Sequence, residues 1–156
     1  MTATQVEPVC TVCGIPADAG YFDSSSIVEA PNATTPDVVL ASFELHPLYC
    51  GVLQYFAQFT DAHAADPSNA RTPEVEWQIR SDGQPLAPWL KFSHIINPWG
   101  MNGFPIHVRL REGCLLEFVA RFVPTAGGSI PLLLTPKLVG GRLLGRYWYN
   151  RAFGGY

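Results

Sequence analysis

The chain has 156 residues, 47% of them hydrophobic and only 15% charged, with a formal net charge of −3. That length suffices for one domain with its own core, without disulfides or metals as staples. The mild acidity and the lack of a Lys/Arg run exclude the footprint of a nucleic-acid binder, and no apolar run reaches the roughly 18 residues of a membrane span. Fourteen Gly and fourteen Pro leave little room for long helices. A charged share below the usual value of about 25% suggests that part of the surface is covered. A subunit contact is one ordinary cover; crowded loops or an apolar ligand are others. Residues 1–30 lack the basic-then-apolar order of a signal peptide, so a cytosolic origin is expected and structural disulfides are not.

Residues 1–36 are rich in Thr, Ser, Ala and Pro without a sustained period. They read as an extended, irregular N-terminal arm, either ordered on a neighbouring subunit or wrapped on its own domain. Inside it, Cys10-Thr11-Val12-Cys13-Gly14 is half of a zinc ribbon. A complete site needs a second pair, and Cys50 and Cys114 fall on different predicted strands. A zinc half-site, a local disulfide and inert thiols are the three readings; inert thiols are preferred, and no cofactor is expected.

The β-domain is expected over residues 37–150. Residues 38–45 predict a first strand, with Val39, Ala41, Phe43 and Leu45 on one face, and 46–51 a turn. Residues 52–59 predict a second strand, with Leu53, Tyr55, Ala57 and Phe59 sharing a face and Gln54 and Gln58 opposite. A polar loop of about fourteen residues follows to Pro73, long enough to be functional or disordered. In residues 74–80, Val75, Trp77 and Ile79 alternate with Glu74, Glu76, Gln78 and Arg80. Ser81-Asp82-Gly83-Gln84 is a tight turn. Residues 89–96 predict another strand, and 97–105 a loop with exposed aromatics. Residues 106–110 alternate, Arg111-Glu112-Gly113 turns the chain, and 114–123 pairs back with Leu116, Phe118, Ala120 and Phe122 inward. Residues 132–144 supply one or two strands interrupted at Gly140-Gly141, and 145–149 a last aromatic strand. A tail, 151–156, closes the chain. Seven or eight short strands with turn signals between them predict an all-β, antiparallel two-sheet sandwich of jelly-roll type.

Catalytic patterns are not found. A cupin carries HxH on one strand, whereas His107 stands alone and faces outward. There is no G-x-S-x-G elbow, and Glu74 and Glu76 share what reads as a solvated face. A non-enzymatic role is expected. Interface aromatics flanked by Arg are the residues left over: Trp89, Trp99, Phe104, Arg146, Arg151, Phe153 and Tyr156. Trp148 reads as core of the last strand. Trp99 on a loop is also the best platform for a carbohydrate.

The succession of the Val75–Arg80 strand, Asp82-Gly83-Gln84-Pro85-Leu86, the Pro105–Gly113 strand, Leu116-Glu117-Phe118-Val119-Ala120-Arg121 and Gly140–Tyr149 resembles the small β-sandwich virion proteins of tailed bacteriophages, over roughly residues 38–149. The resemblance implies a capsid decoration (cement) protein or a neck or tail accessory protein. Such a protein is assembled in the host cytoplasm, is homo-oligomeric with a trimer favoured, and binds the major capsid protein or other virion subunits. A carbohydrate- or receptor-binding module is the alternative. The resemblance transfers no functional residue and does not include the CxxC arm.

Overall fold

The computed structural model describes residues 14–32, 34–60, 75–87, 89–92, 103–123 and 138–150. They form eight strands: β1 (Gly20–Glu29), β2 (Asp37–Glu44), β3 (Tyr49–Thr60), β4 (Val75–Ser81), β5 (Gln84–Pro85), β6 (Phe104–Leu110), β7 (Leu115–Phe122) and β8 (Leu138–Tyr149). The pairing follows one rule. β1 pairs with β8, β2 with β7, β3 with β6 and β4 with β5, all antiparallel, so the chain behaves as one long hairpin. Rolling that hairpin lays β3 beside β8 and β4 beside β7. The result is two four-stranded sheets, β1-β8-β3-β6 and β2-β7-β4-β5, in jelly-roll order.

The hairpin tip is Asp82-Gly83, where both residues take positive φ (52° and 75°), the type I′ geometry that matches strand twist. Asp82 also accepts the Leu115 N–H through Oδ1 at 2.9 Å. The core between the sheets is apolar. Trp77, Phe56, Phe118, Ile79, Leu116 and Leu143 are all buried between the sheets.

Several sequence expectations need correction. The irregular arm was expected to run to residue 36, but Gly20–Glu29 is a full strand, and Ile15 and Ala19 are buried against Val52. Trp148 lies with that small cluster on the outer side of its sheet and does not fill the main core. Gly140 and Gly141 do not interrupt β8, which runs unbroken for 12 residues. Between residues 89 and 96 the described part holds only a Trp77–Phe92 bridge; residues 93–96 lie outside the described residues, as do the CxxC motif, the tail and the loop expected over 60–73 apart from Thr60, which ends β3.

β1 is hard to see in the sequence because its inward positions are partly serine. Those serines close one seam of the sandwich. Ser24 Oγ accepts the Ser42 N–H at 3.1 Å, and Ser26 Oγ donates to the Leu40 carbonyl at 2.5 Å. Both partners lie on β2, an outer strand of the opposite sheet, and Leu40 falls at the bulge where β2 slips against β7. Side chains thus occupy backbone groups that an open edge would leave to water or to another chain. Ser26→Ala is expected to cost about 1 kcal/mol in urea unfolding, and Ser24→Ala less, because its bond is exposed.

Candidate functional site

The outer faces of the two sheets differ in chemistry. On β2-β7-β4-β5 the outward side chains form a charged ladder. Asp37 pairs with Arg80 at 2.8 Å and with Arg121 at 3.5 Å, and Glu76 pairs with Lys91 at 3.5 Å. On β1-β8-β3-β6 the outward rows are largely apolar. Ile27, Gly140 and Phe59 lie in one row across β1, β8 and β3. Ser25, Arg142 and Ala57 form the next, and Asp23, Leu144 and Tyr55 the third. Ile27 is 60% exposed, Phe59 44% and Tyr55 43%, and Leu138, also exposed, extends the patch along β8.

A backbone slip in β3 builds this face. The register shifts between Leu53 and Tyr55 against both neighbouring strands, so Gln54 occupies a β-bulge. An extra residue reverses every later side chain in a strand. Leu53 stays inward, but Phe56, rather than Tyr55, is the next to enter the core, and Tyr55, Ala57 and Phe59 point out. The face expected to unite Leu53 with Tyr55, Ala57 and Phe59 is therefore split at the bulge, with Leu53 inward and the other three outward. The same event in β2, between Val39 and Ala41, leaves Val39 exposed and Leu40 buried.

Glycine shapes the patch further. A Cβ on Gly140 would stand 2.9 Å from Ile27 Cγ1 and 3.3 Å from Phe59 Cβ. Its absence leaves a trough of about 230 Å³ between these two side chains, with Arg142 at one wall. Arg142 is held by Asp23 through two hydrogen bonds, one of them Nε to Oδ1 at 2.7 Å. Those bonds hold the Asp23 carboxyl below the ordinary carboxylate range, against a smaller upward push from burial. A lowered carboxylate pKa means that the pair stabilises the fold above the ordinary value and stops doing so as pH falls through the lowered one. Arg142→Gln is expected to return the Asp23 titration, followed by carboxyl NMR, upward to the ordinary range.

At the other end of this face lies a second pocket of about 430 Å³, lined by Gly14, Cys50, His107, Arg109, Glu112 and Trp148 among others. His107 faces outward from β6 and is exposed, as the sequence suggested. Burial, and then the charge of Glu112, push the Cys50 thiol upward. Cys114 is buried in the core and raised chiefly by burial. Among the described residues no three His, Cys, Asp or Glu side chains come together as a metal-holding group.

The expected interface residues disperse. Trp89 and Phe104 are half-buried and packed on the core, with ring centroids 5.1 and 5.3 Å from that of Phe56. Part of their apolar surface is used inside the domain. Arg146 does sit on that face. Its guanidinium lies 4.5 Å over the Tyr21 ring, and its Nη2 donates to the Ala19 carbonyl at 3.0 Å. It fastens the entering chain and strand β1 to β8. Trp99, Arg151, Phe153 and Tyr156 lie outside the described residues, and with Trp99 goes the expected sugar platform. Sequence reasoning missed Ile27, Tyr55, Phe59 and Leu138. The only available signal was the polar Gln54 inside an apolar run, a weak mark for a bulge.

No known protein-family pattern matches the chain, and no curated protein sequence is significantly similar to it.

Proposed function

We propose that the protein is a non-enzymatic virion subunit, a capsid decoration or cement protein, which docks through the apolar outer face of the β1-β8-β3-β6 sheet. The observation that carries this reading is the contrast between the two outer faces. One carries three ion pairs beside the exposed Val39 and Leu115; the other, with the single Asp23–Arg142 pair, displays the larger apolar group Ile27, Tyr55, Phe59 and Leu138. Contiguous exposed apolar surface on an otherwise well-packed domain marks an interaction site, and aromatic side chains at its centre are the usual energetic anchors. The jelly roll is shared by viral capsid domains, lectins and cupins, so the fold favours none of these roles by itself. The virion assignment rests on the sequence resemblance, and the docking face is what such a subunit needs. Homo-oligomers, a trimer first, and the major capsid protein are the partners proposed.

The experiment is co-sedimentation of the purified protein with capsids assembled without it, alongside light scattering of the free protein. Saturable binding to the shell and a defined oligomer are expected. Binding to isolated tails or necks instead would move the assignment to an accessory protein of those structures. A monomer that binds no particle would end the proposal.

A further inference from the structure

The cavity of about 430 Å³ at the Trp148 end of the outer face falls in the size range of small-molecule sites, about 300–1,000 Å³. We propose that it takes a saccharide bearing a carboxylate, with the sugar ring against Trp148 and the carboxylate on Arg109. Trp148 lies eight residues beyond Gly140 on β8, about 26 Å at the rise of a strand, so this site is separate from the docking trough and does not rest on it.

Strand pairing builds the pocket. Cys50 is paired with Trp148, and Val52 with both Arg146 and Arg109. Alternation along the strands turns Trp148, Cys50, Val52 and Arg109 to one side of the sheet. Val52 packs on that side with Ile15 and Ala19, and Trp148 lies against them. From Trp148 to Arg109 is two strand spacings across and two residues along, about 12 Å between Cα atoms. Cys50 and Val52 lie between them in the lining. The sequence alone does not show this site, because Trp148 and Arg109 come together only when β3 pairs with both β8 and β6.

The polar groups specify the ligand. Arg80, Arg111, Arg121 and Arg142 each hold a carboxylate, and Arg146 donates to the Ala19 carbonyl. Arg109, exposed on β6, has neither an ion pair nor a hydrogen bond among the described residues. Its planar fork suits a carboxylate held by two parallel hydrogen bonds. Glu112, in the same lining, accepts a hydrogen bond from the Asn150 side chain, and the Asn150 backbone N–H donates to the Leu48 carbonyl at 2.7 Å. That fixed pair sets a carboxylate acceptor at the rim, where hydroxyl donors can reach it. The Cys50 thiol, raised chiefly by burial, feels both charges, with Glu112 pushing it up and Arg109 down. A cation and an anion therefore flank one cavity.

That mixture selects among ligands. A phosphate dianion is repelled by Glu112 and has no use for the indole. A wholly apolar molecule would strip water from both charges without pairing either. A pyranose offers a CH face to Trp148 and hydroxyls to the polar rim, the division of labour that an aromatic ring beside polar groups serves. One carboxylate on that sugar answers the Arg109 guanidinium. The trough at Gly140 lacks this combination, because its Arg142 is already held by Asp23.

The test titrates the full chain, isotope-labelled for NMR, with sodium glucuronate, glucose and acetate. The indole N–H resonance of Trp148, identified by its absence in Trp148→Phe, should shift saturably with glucuronate. A dissociation constant on the order of 1 mM is expected for a ligand of about thirteen non-hydrogen atoms at ordinary ligand efficiency. Glucose and acetate should each bind about tenfold more weakly or worse. Arg109→Ala changes an exposed side chain; it should keep the fold and weaken glucuronate binding about tenfold or more. Should Trp148→Phe fail to fold, saturation transfer to the sugar-ring protons, compared between the unaltered protein and Arg109→Ala, decides. Acetate or a glutamate-rich peptide binding as tightly as glucuronate would mean that the pocket reads a carboxylate alone and would overturn the proposal. Unchanged binding in Arg109→Ala, or no saturable shift of Trp148 well above that concentration, would overturn it equally.

Discussion

Phe56→Ala is expected to remove about 3–5 kcal/mol of stability, whereas Phe59→Ser, in the same strand, should change it by no more than about 0.5 kcal/mol. Phe56 is 1% exposed. Its ring meets those of Trp89, Phe92, Phe104 and Phe118 at centroid distances of 5.1 to 5.8 Å. It is the hub where the two sheets and the Trp89–Phe92 segment join. Truncation would remove a large transfer term and leave a cavity whose walls are aromatic and slow to collapse. The loss of four aromatic contacts places the variant toward the upper end of that range. Phe59 lies on the other side of the same sheet, against Ile27 across the Gly140 gap, and gives up little when truncated. Urea unfolding of the two variants reads the side-chain assignment beyond the Gln54 bulge directly. A severe loss for Phe59→Ser with tolerance of Phe56→Ala would mean that β3 has no bulge.

Gly145→Ala is the second large effect. A methyl group there would stand 2.2 Å from the Val52 carbonyl oxygen and 2.5 Å from Phe22 Cζ. The first obstacle is backbone of the paired strand β3, and the second is a buried ring stacked on Phe43 at 4.2 Å. Neither gives way as a flexible side-chain tip would. Overpacking ordinarily costs about 1–3 kcal/mol and sometimes more, and the clash with ladder backbone places this variant at the upper end, about 3 kcal/mol. Gly141→Ala should behave similarly, since its Cβ would meet the Phe118 ring at 2.5 Å. Thermal denaturation of both variants checks this. By contrast, Gly83→Ala meets no atom within 4 Å and is opposed only by its φ of +75°, so its cost should be smaller.

Period-two hydrophobicity made most of the fold legible. β2, β3, β4, β6 and β7 carry it, and the Asp82-Gly83 turn is written in its residue types. Three features were not legible, each for a physical reason. β1 lacks an apolar stripe because Ser24 and Ser26, which face inward, bond the β2 backbone. Leu53 does not share a face with Tyr55, Ala57 and Phe59 because a bulge is a backbone event that no spacing announces. β8 looked broken at Gly140-Gly141 because glycine is required where Phe118 and Leu40 press on the strand. The candidate face escaped for a related reason. Ile27, Tyr55 and Phe59 look like core residues, and composition cannot tell an apolar side chain turned inward from one turned outward. Of the loop and tail aromatics that the sequence singles out, Trp89 and Phe104 pack on the core.

The docking face is tested most directly by adding one charge to each outer face. Phe59→Glu places a carboxylate beside the trough on the apolar face, and Ser42→Glu places one on the charged face, where Ser42 is exposed. Both should fold, as judged by urea unfolding. The first should lower binding to capsids at least about tenfold, the equivalent of 1.4 kcal/mol, while the second binds like the unaltered protein. Equal binding by all three proteins, or loss confined to Ser42→Glu, would contradict the account.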